Sequence, residues 1–209
     1  MNNLLEIDEL TLLKEMQHRM KNNLQLILSL INIQLTESIQ ETGVVFLNSL
    51  KQRIHSLSLI NNFLDHSFED GYIDLGDLIE RITDSVSEAY RKREDIIVMK
   101  YIESISIEHQ LAIPLGLIVN ELLTNAMKYA FPETCFTKGN DYCRIEVILR
   151  KNKAHYELII SDNGISLNNE VKDNKMKSSG VKLVYNLVEQ IDGKCQLDCS
   201  NGTTYKITF

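Results

Sequence analysis

The 209-residue sequence predicts an α+β protein, in which an N-terminal helical hairpin is followed by an α/β sandwich whose mixed sheet is covered on one face by helices. Up to about residue 67 the apolar residues recur at helical spacing, whereas later segments alternate between helical and strand-like patterns. The later strands and helices follow no regular βαβ repeat, which favours an α+β sandwich over a doubly wound fold. We therefore predict two domains, 1–70 and 71–209.

The first helix is predicted over residues of about 5 to 36. Its apolar positions recur at steps of three and four, which places them on one stripe of a helix: Leu13, Met16, Met20, Leu24, Ile27 and Ile31. The polar segment from Thr36 to Gly43 ends this pattern. A short connection to a second helix is expected there.

The second arm of the hairpin begins at Val44 and has apolar residues at heptad-like spacing: Leu47, Leu50, Ile54, Leu57 and Leu64. Asn61 interrupts this stripe, either as a device that fixes the register or because it faces a wet end of the bundle. Two helices that each carry an apolar stripe cannot bury both stripes alone. We therefore predict a homodimer, with a four-helix bundle made by two chains.

A polar linker, His66 to Gly71, separates the hairpin from the second domain. Helices are predicted there at about 74–93, 112–130 and 181–191. Strands are predicted at 96–101, 104–107, 144–149, 156–161, 195–199 and 204–209, the last two pairing across Asn201-Gly202.

The composition limits the classes of partner. The formal net charge of -7 argues against nucleic acid and anionic membranes, because phosphate groups favour a basic surface. No apolar run approaches the ~18 residues of a membrane span, and the acidic start (Glu6, Asp8, Glu9) is unlike a signal peptide. We expect a cytoplasmic chain with no membrane segment.

His18 lies on the polar side of the first helix, away from the stripe of Met16 and Met20. A lone histidine is usually an ordinary surface or core residue. Here a carboxylate, Glu15, can orient one ring nitrogen, and two cations, Arg19 and Lys21, can meet an incoming phosphate. Such surroundings suit a histidine that accepts a phosphoryl group.

The segment His18-Arg19-Met20-Lys21-Asn22-Asn23-Leu24-Gln25 closely resembles the phosphoacceptor box of sensor histidine kinases, specifically of the subfamily related to the HWE kinases. The resemblance implies that His18 is the phosphorylated residue. It also implies an ATP-binding domain after the hairpin, so the later motifs are compared with that family.

In the predicted helix 112–130, Glu121, Asn125 and Lys128 are spaced at i, i+4 and i+7 and share one polar face. Such a carboxylate, amide oxygen and ammonium can orient an acceptor, coordinate Mg²⁺ and meet phosphate oxygens. By itself the pattern also fits an ordinary solvated helix face.

Downstream, the apolar strand 158–161 ends in Asp162-Asn163-Gly164, which suits a buried acceptor beside an accessible turn, although this tripeptide also forms ordinary turns easily. A further glycine, Gly180, precedes the predicted helix 181–191 and could admit phosphate at a helix start.

These segments resemble the N box and the two glycine boxes of the histidine kinase and gyrase-type ATPases, in the family's order along nearly the whole chain. The resemblance implies ATP and Mg²⁺ as cofactors, with Asn125 binding the metal, Asp162 recognising the adenine amino group and Glu121 acting with His18 in catalysis. The implied cofactor-binding residues are Asn125, Lys128, Tyr129, Asp162, Gly164 and Gly180.

The resemblance predicts a two-component protein histidine kinase that phosphorylates His18 from Mg-ATP and passes the phosphoryl group to an aspartate in the receiver domain of a response regulator. The input would come from a separate sensor protein or from a sensor domain missing from this chain. Ser166 replaces a usual glycine, and Ser179 and Val181 replace usual leucines. The alternative is therefore a histidine phosphotransfer protein whose C-terminal domain is degenerate and does not bind ATP.

Overall fold

The computed structural model describes residues 43–66, 71–91, 95–131, 142–153, 155–165 and 179–209. The chain divides into two compact units, Met1–Ile54 and His55–Phe209. The first predicted helix lies outside the described residues, so the hairpin, its dimer and the domain boundary at residue 70 stay predictions.

Within these ranges the chain forms α1 (Gly43–His66), α2 (Leu75–Ala89), α3 (Ala112–Tyr129) and α4 (Ser179–Gln190). A 3-10 helix, His109–Leu111, leads into α3. The described strands are β1 (Tyr72–Asp74), β2 (Ile96–Ile102), β3 (Ser106–Glu108), β4 (Cys143–Asn152), β5 (His155–Asp162), β6 (Lys194–Asp198) and β7 (Thr203–Thr208). None of the described helices is both long enough and apolar enough to span a membrane.

Five strands form one mixed sheet in the order β2-β4-β5-β7-β6. Strand β2 runs parallel to β4, and the other neighbours are antiparallel. The α+β class with a mixed sheet is therefore confirmed. The predicted hairpin across Asn201-Gly202 is also present, as the antiparallel pair β6 and β7.

A second, two-stranded sheet pairs β1 with β3. Strand β1 was not predicted, because three residues are too few to show an alternating pattern. The strand predicted at 104–107 begins later, at Ser106, because the hydroxyl of Ser104 and the N–H of Ile105 instead donate to the side chain of Asp74.

The helices cover one face of the five-stranded sheet. In β4 alternate residues, Cys143, Ile145, Val147 and Leu149, are buried. On the helical layer, α2 packs against β2, α3 against β5 and α4 against β6. The sandwich predicted from the sequence is confirmed, with its apolar core between these two layers.

Helix α2 is fixed at its start by Asp74, whose Oδ1 accepts the N–H of Gly76 at 2.7 Å. Its Oδ2 accepts the hydroxyl of Ser104 at 2.6 Å. A carboxylate at this position satisfies N–H groups that the first turn leaves unbonded. All the predicted apolar positions of this helix are buried: Leu75, Leu78, Ile79, Ile82 and Val86.

Candidate functional site

Helix α3 carries the three polar residues of the predicted N box. Nearly all its side chains before Asn125 are buried in the core. From Glu121 to Lys128 exposure increases: the Glu121 side chain is buried, with 5% of its surface exposed, Asn125 is half-buried and Lys128 is exposed. The predicted polar face therefore points outward only at its C-terminal end.

The burial of Glu121 argues against the reading of these residues as an ordinary solvated face. Taking a carboxylate out of water is costly unless it is compensated, so such residues are uncommon in a helix that needs them only for solubility. The half-buried Asn125 lies one turn further on, and its amide offers an oxygen of the kind that Mg²⁺ accepts.

The turn after β5 holds Asp162, which is 9% exposed. Its Oδ1 accepts two backbone N–H groups, from Gly164 at 3.0 Å and from Thr203 at 3.3 Å. The first bond closes a turn within the tripeptide, and the second comes from β7, which pairs with β5. The carboxylate is therefore oriented by two fixed donors.

The middle residue of this tripeptide, Asn163, is also anchored. Its Oδ1 accepts the N–H of Arg144 at 2.7 Å, and its Nδ2 donates to the carbonyl of Tyr142 at 2.8 Å. In an ordinary surface turn, water would hydrate the asparagine side chain. The sequence Asp162-Asn163-Gly164 instead connects the end of β5 to the start of β4.

The end of α3 and the turn after β5 meet at Ala130. The N–H of Ile165 donates to the carbonyl of Ala130 at 2.9 Å. A Cβ atom on Gly164 would clash with that same carbonyl, so only glycine allows the two backbones to approach this closely. This contact brings the turn of Asp162 to the helix end that carries Lys128 and the exposed Tyr129.

Gly180 is the second residue of α4 and is buried. Helix α4 packs against α3, so the start of α4 belongs to the same layer as the N box. Backbone N–H groups in the first turn of a helix have no partner within the helix and can bind an anion. Residues 166–178, which include Ser166, lie outside the described ranges.

The sequence did not single out two residues that hold Asp162 in place. Thr203 donates its N–H to the carboxylate, and Gly202 lies against the carbonyl of Asp162, where any Cβ would clash. Gly202 has a φ of +81°, which glycine adopts at little cost. Asn201-Gly202 was recognised only as a hairpin turn, and its contact with the Asp162 turn is visible only in the folded chain.

The neighbouring Tyr205 is an uncharged, buried phenol. Burial raises its pKa, and Tyr185, Cys195, Cys199 and the Asp162 carboxylate raise it further. Tyr205 therefore stays protonated at any physiological pH and adds no charge near Asp162.

The arrangement suits a polar ligand that carries phosphate groups. Carboxylate and amide oxygens on α3 match the preference of Mg²⁺ for oxygen ligands, the ammonium of Lys128 can meet an anion, and Asp162 can accept from a donor such as an amino group. His18, the predicted phosphoacceptor, lies outside the described residues.

Two family models match the chain. The model described as histidine kinase covers residues 15–90. The model described as histidine kinase-, DNA gyrase B-, and HSP90-like ATPase covers residues 110–209. Together they account for most of the chain and follow the order predicted from the motifs.

Among characterised proteins, the chain is 24% identical over 182 residues to the sensor histidine kinase PdtaS of Mycobacterium tuberculosis, a match covering 87% of this chain and 35% of that protein. It is 34% identical over 125 residues to the blue-light-activated histidine kinase 2 of Erythrobacter litoralis, covering 58% of this chain and 35% of that protein. The chain thus spans about a third of the length of these curated relatives.

Among solved structures, the histidine kinase domain of the Erythrobacter litoralis EL346 blue-light activated histidine kinase matches with a TM-score of 0.68 and 18% identity, covering 90% of this chain and 94% of that one. The larger EL346 structure gives a TM-score of 0.69 at 22% identity, covering 94% of this chain and 61% of that one. These likenesses show the fold.

Proposed function

Because the chain belongs to the HWE-related histidine kinases, we propose that it phosphorylates His18 from Mg-ATP and passes the phosphoryl group to an aspartate in the receiver domain of a response regulator. The observation that carries this proposal is the meeting of two motifs at Ala130, where the end of the N-box helix bonds to the turn of Asp162. A domain that had lost its ligand would have no need for this close approach, which only Gly164 allows.

In this proposal the Asp162 carboxylate accepts a hydrogen bond from the adenine amino group. The backbone N–H groups of Gly164 and Thr203 preorganise that carboxylate. Lys128 and Tyr129 contact the cofactor at the exposed end of α3, and Gly180 admits phosphate at the start of α4. Asn125 would supply an oxygen ligand to Mg²⁺, which would neutralise charge on the phosphate oxygens.

The chemical step forms one bond and breaks one. A ring nitrogen of His18 attacks the γ-phosphorus, the bond from that phosphorus to the bridging oxygen breaks, and the bonding pair leaves with ADP. The proton on the other ring nitrogen then passes to a base. Glu121 is the proposed base and orienting group, since its buried carboxylate is held within the same helix that carries Asn125 and Lys128.

The test follows acid-labile label from γ-labelled ATP, with ATP binding measured by calorimetry. His18→Gln should still bind ATP with Mg²⁺ but acquire no label, because glutamine keeps a polar, helix-compatible side chain without the nucleophile. His55→Gln, at an exposed position of α1, is the matched control and should be labelled normally. Acid-labile label on His18→Gln would overturn the assignment of the acceptor.

The metal site is tested in the same assay. Asn125→Ala should abolish labelling while the fold survives, because the side chain is half-buried and lies outside the apolar core. Asn186→Ala removes an exposed asparagine from α4 and should change nothing. If the unmodified protein fails to bind Mg-ATP, yet His18 accepts phosphoryl groups from another phosphoprotein, the alternative of a phosphotransfer protein replaces this proposal.

We also propose that the chain acts in the cytoplasm as a homodimer through residues of about 5 to 67. A sensor protein or a sensor domain would supply the input. The apolar stripes of both predicted hairpin helices carry the dimer proposal, because a monomer would leave them in water. Sedimentation at micromolar concentration should give a dimer, and a monomer would contradict the bundle.

A further inference from the structure

Two buried polar side chains from distant parts of the sequence meet inside the second compact unit. The hydroxyl of Ser56, on α1, donates to Oδ1 of Asn120, on α3, at 2.6 Å. Their side chains are 7% and 3% exposed. Buried polar atoms are costly unless they are bonded, so a pair placed this deep fixes the two groups relative to each other.

The apolar contact beside this bond fixes the same two helices. Ile60 lies one turn after Ser56, and it packs on Gly116, one turn before Asn120. A Cβ on Gly116 would come within 2.7 Å of Cδ1 of Ile60 and 3.0 Å of Cδ1 of Ile82. The helices therefore run in opposite directions where they touch, and they approach closely because Gly116 has no side chain.

The hydrogen bond sits next to the proposed catalytic carboxylate. Asn120 directly precedes Glu121, which is also buried, whereas Asn125 and Lys128 lie one to two turns further on, where α3 becomes exposed. Asp162 is held separately, by the N–H groups of Gly164 and Thr203. A change at Asn120 should therefore reach Glu121 before it reaches the residues proposed to hold the nucleotide.

We propose that Ser56 is a positioning residue for phosphoryl transfer, which acts through its hydrogen bond to Asn120 and holds α3 in the rotation that aims Glu121 at the acceptor. This inference rests on the function proposed above and extends it to a residue outside the family's motifs. Ser56 lies on the helix that follows the phosphoacceptor segment in the chain, so in this proposal that helix supports phosphoryl transfer besides forming the second arm of the predicted hairpin.

Removing the hydroxyl has a specific expected consequence. In Ser56→Ala the Oδ1 of Asn120 loses a buried donor, and the amide recovers a partner only by rotating or by letting α3 shift. Either change moves Glu121, which is attached to the next backbone unit. We expect the single-turnover rate of His18 phosphorylation to fall about tenfold, while the Kd for Mg-ATP stays within about twofold of the parent value.

The matched control is Thr83→Val, which removes another buried hydroxyl. Thr83 lies on α2 and its hydroxyl donates to the carbonyl of Ile79 in its own helix at 2.7 Å, so removing the hydroxyl affects stability but breaks a bond within α2 and not one to α3. This variant should keep the parent rate. A fall in rate of the same size in both variants would mean general destabilisation and would overturn the proposal.

Two further variants test the hydroxyl itself. Ser56→Cys keeps a side chain of similar size with a weaker donor, so its rate should fall between those of the parent and Ser56→Ala, and it decides the question if the alanine variant does not fold. In the double variant Ser56→Ala/Asn120→Ala the losses in rate should be less than multiplicative, because both changes break one bond. Independent effects, or a parent-like rate in Ser56→Ala, would overturn the inference.

The two proposals fail in different ways. Absence of label on the parent protein would defeat the proposed kinase activity and this inference with it. A parent protein that is labelled normally, with Ser56→Ala equally fast, would defeat only the role of Ser56.

Discussion

Strand β5 carries a buried carboxylate near each end, and the two are held in different ways. Glu157 is 2% exposed and accepts Nζ of Lys206 at 2.6 Å, Nη2 of Arg150 at 2.7 Å and Nδ2 of Asn152 at 3.1 Å. Asp162 accepts two backbone N–H groups. The two residues are five positions apart in the strand, an odd number, so their side chains lie on opposite faces of the sheet, with Asp162 on the face that the helices cover.

The side chains of Lys206 and Arg150 neutralise the charge of Glu157. Hydrogen bonds from Lys206, Arg150 and Asn152 lower the pKa of Glu157 to about 2. The two backbone donors at Asp162 orient its carboxylate without bringing a full positive charge to it. Burial of a carboxylate therefore does not by itself identify a binding site. The kind of donor and the neighbouring backbone distinguish the two ends: Asp162 sits in a turn that touches α3, whereas Glu157 belongs to an ion cluster.

The largest expected difference is in nucleotide binding. Asp162→Ala should weaken ATP binding about 100-fold, because a hydrogen bond to a charged acceptor is worth roughly 1.5–3 kcal/mol. Glu157→Gln, at the other end of the same strand, should leave the Kd unchanged. Calorimetric titration of both variants with Mg-ATP checks this, and equal losses would mean that Asp162 supports the sheet and does not contact adenine.

The next effect concerns the backbone that holds Asp162. Gly202→Ala should lower the free energy of unfolding by about 2–3 kcal/mol, because alanine is strained at positive φ and its Cβ meets the carbonyl of Asp162. Gly71→Ala provides the control, since Gly71 has a φ of +78° and no atom within 4 Å of the added Cβ. It should cost only about 1–2 kcal/mol, and urea unfolding of both variants separates strain from clash.

The smallest expected effect is the change with pH in the stability that Glu157 contributes to the folded protein. Its pKa is about 2 in the folded protein, below the ordinary value of 4.5, so the ionised form is the one that folding stabilises. This contribution is complete above about pH 4.5 and disappears as the pH falls towards 2. The difference in stability between the parent and Glu157→Gln should therefore be constant from pH 7 to about 5 and shrink below that, as followed by urea unfolding at each pH.

A difference that persists unchanged down to pH 2.5 would show that Glu157 contributes through packing and not through its charge. The same series on Asp162→Asn extends the comparison to the other end of the strand. Together, the Mg-ATP titrations, the unfolding of the glycine variants and the pH series test whether Asp162 serves ligand binding and Glu157 serves stability.

The sequence by itself determined most elements of the second domain and the residues at its candidate site. Helices α2 and α3 lie where the apolar repeats predicted them, and the paired strands β4 and β5 include the segments predicted as strands at 144–149 and 156–161. Asn125 and Asp162 were proposed as site residues because both belong to short motifs with fixed spacing, and these roles stay predictions. These features depend on residues that are close in the sequence, where the periods of helix and strand leave a visible pattern.

Only the tertiary structure decided how deeply each polar group is buried and what it contacts. It placed Glu121 inside the protein, although the spacing alone also allowed a solvated face, and it revealed the roles of Gly202 and Thr203 at Asp162. It also paired Ser56 with Asn120 across 64 positions of the sequence. Burial and long-range hydrogen bonds arise when distant segments pack together, and local periodicity carries no information about which segments will meet.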